Sequence, residues 1–300
     1  MSLFTGLSAF PLTPLQGDTV DERAFAGLVE RLAASDVDSI TALGSTGCAA
    51  YLSPIERARV ARLAVEHAAR TPVFVGISAL RTSEVLAHAE SAERAGAAGL
   101  LLAPMTYQPL TQDDVFGLYE TVTAHTGLPV IVYDNPGTTH FAFSTELYGR
   151  IAELTGIASI KIPGVPRDAE AARAHIAEIR AAIPPEVTVG VSGDAFGAAG
   201  LAAGCAAWYS VVAGALPSPA VQITRNSQVG AFEAAAAEST RLAPLWSLFA
   251  EFGGSLRVIA AVAEHLGLAP SRCLPLPIRG LDDEQRHRVI AVVEELGLTG

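Results

Sequence analysis

Lys161 is the only lysine in the chain, although Lys and Arg together number 20. It ends the apolar run IASI, and every other permanent cation is an arginine. An amine taken out of water loses proton affinity, becomes a nucleophile and condenses with carbonyls to a Schiff base, which guanidinium cannot do. A strand-end lysine that snorkels to solvent is the alternative. Tyr133 closes the preceding apolar run of LPVIVYDNPGTT, where its phenol could relay protons to a bound ligand or could simply cap an apolar interior. Ser45 and Thr46 stand between Gly44 and Gly47. Their N–H groups could cradle a carboxylate, or the loop could be a plain strand-to-helix connection. Cys48 has no histidine beside it and reads as a packed thiol. The seven histidines are scattered, and no His, Asp and Glu cluster at metal-ligand spacing. The expected site uses neither metal nor cofactor.

These residues must be positioned by a repeating alternation. Strand-length apolar runs at 7–10, 39–43, 73–76, 99–102, 130–133, 158–161, 188–191 and 207–212 alternate with charged, Ala/Leu-rich stretches at 21–34, 54–70, 83–95, 112–125, 144–154, 167–182 and 195–203. Ser53-Pro54-Ile55-Glu56 supplies a capping serine, a first-turn proline and a glutamate at the third position. Thr111 begins another helix ahead of two acids, and Gly96 stops the third. Near-continuous apolar strands separated by helices make a parallel sheet covered by helices. Eight such units predict an α/β fold of the (β/α)8 TIM-barrel type over residues 1–220. Helices alone, at 232–252, 255–266 and 282–296, predict a C-terminal helical appendage over 221–300. Barrel active sites lie where strands run into their following loops. There the chain offers Ser45 and Thr46, Ser78, Thr106 and Tyr107, Tyr133, Lys161, and Ser192-Gly193-Asp194.

Half the residues are hydrophobic and 17% are charged, which excludes a disordered chain. The net charge of −11 argues against nucleic acid and anionic membranes as partners. Three widely spaced cysteines make neither a disulfide framework nor a zinc site. The N-terminal segment has no basic region and two early prolines, so a cytoplasmic protein is expected. The stretch 195–224 carries no charge, yet glycines and prolines interrupt it, and a buried helix followed by the strand WYSVVAG accounts for it better than a membrane span.

In order and spacing, GLSAFPLTP, GSTGCAAYLSPIER, VGIS, GLLLAPMTYQP, VIVYDNPGTT, IASIKIPG, VSGDAF and GCAAWYSVVAG resemble the dihydrodipicolinate synthase / N-acetylneuraminate lyase family of Schiff-base barrels. The resemblance implies a lyase, aldolase or dehydratase, in which Lys161 forms an imine with pyruvate or another 2-oxo acid. It implies Tyr133 as the proton relay, Ser45 as the hydroxyl that positions it, and Ser45 and Thr46 as the holders of the carboxylate. Tyr209 falls where the family offers a backbone carbonyl to the keto acid. Thr106, Tyr107 and Thr138 fall at positions that meet the rest of the substrate. A homo-oligomer, dimer or tetramer, is also implied. Three departures stand out. Cys48 replaces a glutamate, Met105 and Thr106 replace paired tyrosines with Tyr107 one place late, and Thr138 replaces the arginine that grips the second substrate's carboxylate; Asp134 also replaces an asparagine. The expectation is therefore a Schiff-base lyase on a 2-oxo acid. A true 4-hydroxy-tetrahydrodipicolinate synthase and a non-catalytic keto-acid-binding relative are the alternatives.

Overall fold

The computed structural model describes residues 3–298. Strand β1 (Gly6–Ala9) leads through a small antiparallel ribbon, β2 (Leu15–Gln16) and β3 (Thr19–Val20), into helix α1 (Glu22–Ala33). Strands and helices then alternate as β4 (Ser39–Ala42), α2 (Pro54–His67), β5 (Val73–Gly76), α3 (Thr82–Ala95), β6 (Gly99–Leu102) and α4 (Gln112–His125). There follow β7 (Val130–Tyr133), a one-turn α5 (Pro136–Thr139), α6 (Thr145–Ala152), β8 (Ile157–Ile162), α7 (Ala169–Ala182), β9 (Thr188–Val191), α8 (Gly197–Ala202) and β10 (Ala207–Ser210). Helices α9 (Pro217–Gln228), α10 (Phe232–Arg241), α11 (Ala243–Glu251), α12 (Ser255–His265) and α13 (Asp283–Glu295) complete the order.

Every barrel strand pairs in parallel with its neighbour, and β1 pairs with both β4 and β10, which closes the sheet. The fold is the expected eight-stranded barrel with C-terminal helices. Alternate strand positions divide the core in two. Val75, Leu100, Val132 and Trp208 face the helices in one continuous cluster, whereas Phe74, Leu101, Ile131, Tyr133 and Tyr209 gather with Phe4 and Phe10 inside the barrel. Both capping boxes form: Ser53 with Glu56, and Thr111 with Asp114. Gly96 ends α3 in the left-handed region (φ 86°) that glycine adopts without strain.

Three expectations differ from the structure. Residues 232–252 form two helices, because Pro244 cannot donate to the preceding turn and Leu242 ends one helix and begins the next. Helix α9 was hidden by Pro217 and Pro219, which occupy its first turn, where N–H groups have no intrahelical acceptor in any case. The run 207–212 stops as a strand at Ser210 and turns through a 3-10 segment at Val212–Gly214. Helix α9 packs on β1 and α8. No helix among the described residues is long and apolar enough to cross a membrane.

Candidate active site

Strands β7 and β8 are parallel neighbours, and their register makes Tyr133 the direct partner of Lys161. Both side chains therefore project to the same side of the sheet at the same height. Lys161 is buried, with Nζ 3.9 Å from the centroid of the Tyr133 ring and 5.4 Å from that of Phe10. Removal from water is the largest influence on its amine and lowers its pKa to about 7, while the carboxylates of Asp194 and Asp134 pull the other way. The aromatic faces also favour the charged form. Near neutrality the amine is thus divided between ammonium and nucleophile.

The Tyr133 phenol oxygen accepts a hydrogen bond from Asn135 Nδ2 at 2.8 Å and lies 3.5 Å from Ser45 Oγ. Burial raises the phenol's pKa, and the two polar neighbours oppose that rise. Tyr133 is therefore a neutral phenol at rest, able to give up its proton only through a partner already in place. Asp134 turns the other way: its Oδ2 accepts from the Tyr148 hydroxyl at 2.5 Å, and burial raises its pKa. Asp194 is held by the Ser210 hydroxyl at 2.9 Å and by the N–H groups of Val211 and Val212, and burial lifts its pKa to about 6. That carboxylate ties the end of β10 to the loop after β9 and places a negative charge near Lys161.

A cavity of about 280 Å3 opens above Tyr133 between the loops that follow β4, β5, β6 and β7. Ser45, Cys48, Tyr51, Ser78, Leu101, Met105, Thr106, Thr138 and Thr139 share its wall with Tyr133, and among the described residues no acidic or basic side chain lines it. The Cys48 thiol, pushed up to about 12 by burial, remains neutral. One side of the wall is the loop of Gly44 to Gly47. Leu43 enters it at φ 58°, an uncommon conformation for a branched residue. The turn survives because its neighbour is Gly76: a Cβ there would stand 1.9 Å from the Leu43 carbonyl oxygen. Arg57, buried on α2, fixes the adjoining edge by donating to the carbonyls of Gly76 (2.9 Å) and Ser78 (2.8 Å).

The structure thus brings Lys161, Tyr133 and Ser45 together, with Thr106 and Thr138 in the cavity wall. Thr46 is buried just behind that wall, its carbonyl 3.7 Å from Cys48 Sγ. Tyr107 does not join them; it is 88% exposed. The Tyr209 side chain lies deeper, its hydroxyl 2.7 Å from Ser159 Oγ, one inward-facing position below Lys161. Sequence reasoning missed Arg57 and Asn135. Nothing marks Arg57 among nineteen arginines, but Asn135 sits two residues from Tyr133 beside a helix-starting proline, a signal open to reading.

The model of the dihydrodipicolinate synthetase family matches residues 3–296. The chain belongs to that family. It is accordingly a dihydrodipicolinate synthase-like lyase of the class I aldolase type. A solved dihydrodipicolinate synthase from Agrobacterium tumefaciens superposes with a TM-score of 0.94 at 44% identity, covering 98% of each chain. A 4-hydroxy-tetrahydrodipicolinate synthase of Syntrophobacter fumaroxidans is 29% identical over 99% of this chain and 100% of its own. The dihydrodipicolinate synthase of Acinetobacter baumannii, solved with pyruvate, superposes with a TM-score of 0.88 at 25% identity, over 98% of this chain and 99% of its own. Cys48, Thr106 and Thr138, which the sequence reading set apart from the family's pattern, all fall on the wall of one cavity.

Proposed function

We propose that the protein is a Schiff-base lyase, aldolase or dehydratase, acting on pyruvate or a related 2-oxo acid. The observation that carries this reading is the buried amine of Lys161 beneath the ring of Tyr133 at the mouth of a barrel of this family. The neutral amine adds to the C2 carbonyl of the keto acid, and loss of water leaves a C=N bond. Protonated, that imine draws electrons from the C3–C4 bond or from a C3–H bond, so cleavage, condensation and dehydration become accessible. Tyr133 moves the protons, with Ser45 beside it, and the carboxylate of the keto acid rests on the Ser45–Thr46 loop. The pyruvate bound to the Acinetobacter relative supports a keto acid as substrate.

The part of the substrate beyond the keto acid is uncharged in this reading. The wall that would meet it presents Thr138, Thr106, Cys48 and Met105 and, among the described residues, no cation. The names of the relatives favour a second reading, a true 4-hydroxy-tetrahydrodipicolinate synthase. We further propose a cytoplasmic homo-oligomer, dimer or tetramer; the exposed Tyr51, Leu80 and Tyr107 on neighbouring βα loops, with the exposed Ile55 in the first turn of α2, suit such a contact. The test of the chemistry is reduction with borohydride in the presence of pyruvate, followed by peptide mapping. A reduced adduct on Lys161 is expected, and an adduct confined to the N-terminal amine overturns the reading.

A further inference from the structure

Resting on the Schiff-base reading, we propose that Asn135 is the positioning residue for proton transfer at the Tyr133 phenol. The phenol oxygen has two side-chain neighbours among the described residues, Asn135 Nδ2 at 2.8 Å and Ser45 Oγ at 3.5 Å. An amide nitrogen only donates. Asn135 therefore fixes the phenol oxygen as an acceptor on one side and turns the phenol's own proton toward Ser45 or the reactant. The longer Ser45 contact is too weak to set that orientation by itself.

Asn135 is itself held. Its backbone carbonyl accepts from the N–H groups of Thr138 and Thr139, each at 2.9 Å, and from Thr139 Oγ1 at 3.0 Å, while Pro136 opens the one-turn α5. The turn that carries the cavity-lining Thr138 and Thr139 thus also aims the amide. Apart from Ser45, no other side chain among the described residues is hydrogen-bonded to the phenol. Thr106 Oγ1 is buried without a partner among the described residues, and Tyr107 is turned out to solvent.

The amide orients but carries no proton. As the imine becomes an enamine, the C3 proton passes to the phenol oxygen and the phenol's proton leaves to Ser45 Oγ. The Ser45 proton goes to water at the exposed loop. The C3–H electron pair becomes the C2=C3 bond, and the former C=N pair returns to nitrogen, so the cationic iminium ends as a neutral enamine plus one released proton.

This half-reaction needs pyruvate alone. Exchange of the pyruvate methyl protons in D2O, followed by proton NMR, reads the transfer step, and the borohydride adduct reads the imine. Asn135→Ala and Asn135→Asp should each slow exchange by roughly 10²-fold, the lower edge of a general acid–base contribution. Both should form the Lys161 adduct with wild-type yield and wild-type half-saturation by pyruvate. Asn135→Asp keeps the shape of the side chain and replaces the donor by an acceptor, so it reports even if the alanine variant fails to fold. Wild-type exchange in the folded variants overturns the role of Asn135 and leaves the Schiff-base reading intact. A wild-type protein that neither exchanges nor forms the adduct overturns that reading, and the proposal with it.

Discussion

The amine of Lys161 lies 3.9 Å from the centre of the Tyr133 ring, and the two residues are register partners on adjacent parallel strands. The backbone ladder, rather than a flexible loop, therefore sets the spacing between nucleophile and proton carrier. Strand-borne groups hold reacting geometry within narrow limits, which lowers the entropic part of a barrier. The same contact withdraws the amine from water, so position and acidity have one cause.

Lys161→Arg should abolish the adduct formed by pyruvate and borohydride. Guanidinium fills similar space and keeps a cation in the barrel, yet it stays protonated and does not condense. Mass spectrometry of the intact protein and of its peptides measures the loss. An undiminished adduct in the variant would place the chemistry on another amine.

The rate of adduct formation should rise with pH and level off just above neutrality. Burial sets the Lys161 amine near 7, below its ordinary value, so the neutral nucleophile dominates above that pH and is lost below it. At pH 5 the neutral fraction, and with it the rate at low pyruvate, should be roughly 10²-fold below the plateau. An exposed lysine would still be gaining about tenfold per pH unit at pH 8 to 9. A profile of that second kind would show that the amine is not desolvated.

Tyr133→Phe should leave the imine able to form while slowing pyruvate methyl exchange by roughly 10²–10⁴-fold. The ring remains to cover Lys161, and only the phenol oxygen shared by Asn135 and Ser45 is removed. Equal exchange by the variant and the wild type would reduce Tyr133 to an aromatic cap.

The positions of Lys161 and Tyr133 were legible in the sequence because each ends an apolar run whose length and burial fix a strand, and barrel strands carry their C-terminal ends to one mouth. Tyr209 was legible as a strand residue of β10, and the reading put weight on its backbone carbonyl only; its hydroxyl meets Ser159 in the layer below, a side-chain contact no motif signals. Tyr107 lies in an irregular loop, where no periodicity tells inward from outward. Helix α9 escaped because proline at a helix start and proline in a break read alike in one dimension. Arg57 escaped for another reason: its partners are carbonyl oxygens on a different element, and a carbonyl leaves no mark in the residue alphabet.

Arg57→Met should lower stability by about 2–4 kcal/mol, through the buried carbonyl of Gly76 and the half-buried carbonyl of Ser78 losing these donors. The loop at Leu43 leans on that edge, so the cavity wall should loosen as well. The shift in denaturant midpoint measures the first effect, and a raised half-saturation by pyruvate in trapping measures the second. A midpoint within experimental error of wild type would show that the carbonyls find other donors.

The final prediction concerns the second reactant. An arginine at position 138 would offer two parallel, charge-assisted hydrogen bonds to a carboxylate, whereas Thr138 offers one neutral hydroxyl. Arg57 cannot substitute, because its guanidinium is already engaged with backbone carbonyls and is not among the residues lining the cavity. Losing a charge-assisted grip costs roughly 1.5–3 kcal/mol, or about 10–200-fold in specificity. With pyruvate as partner, kcat/KM for aspartate semialdehyde should therefore fall at least that far below the value for aldehydes with neutral or hydroxylated tails. Thr138→Arg should narrow the gap, because it restores a cation at the cavity wall and leaves Lys161 and Tyr133 untouched. Condensation of aspartate semialdehyde at least as efficient as that of every neutral aldehyde tested would mean that the missing cation is supplied from outside this chain. The protein would then be a true 4-hydroxy-tetrahydrodipicolinate synthase.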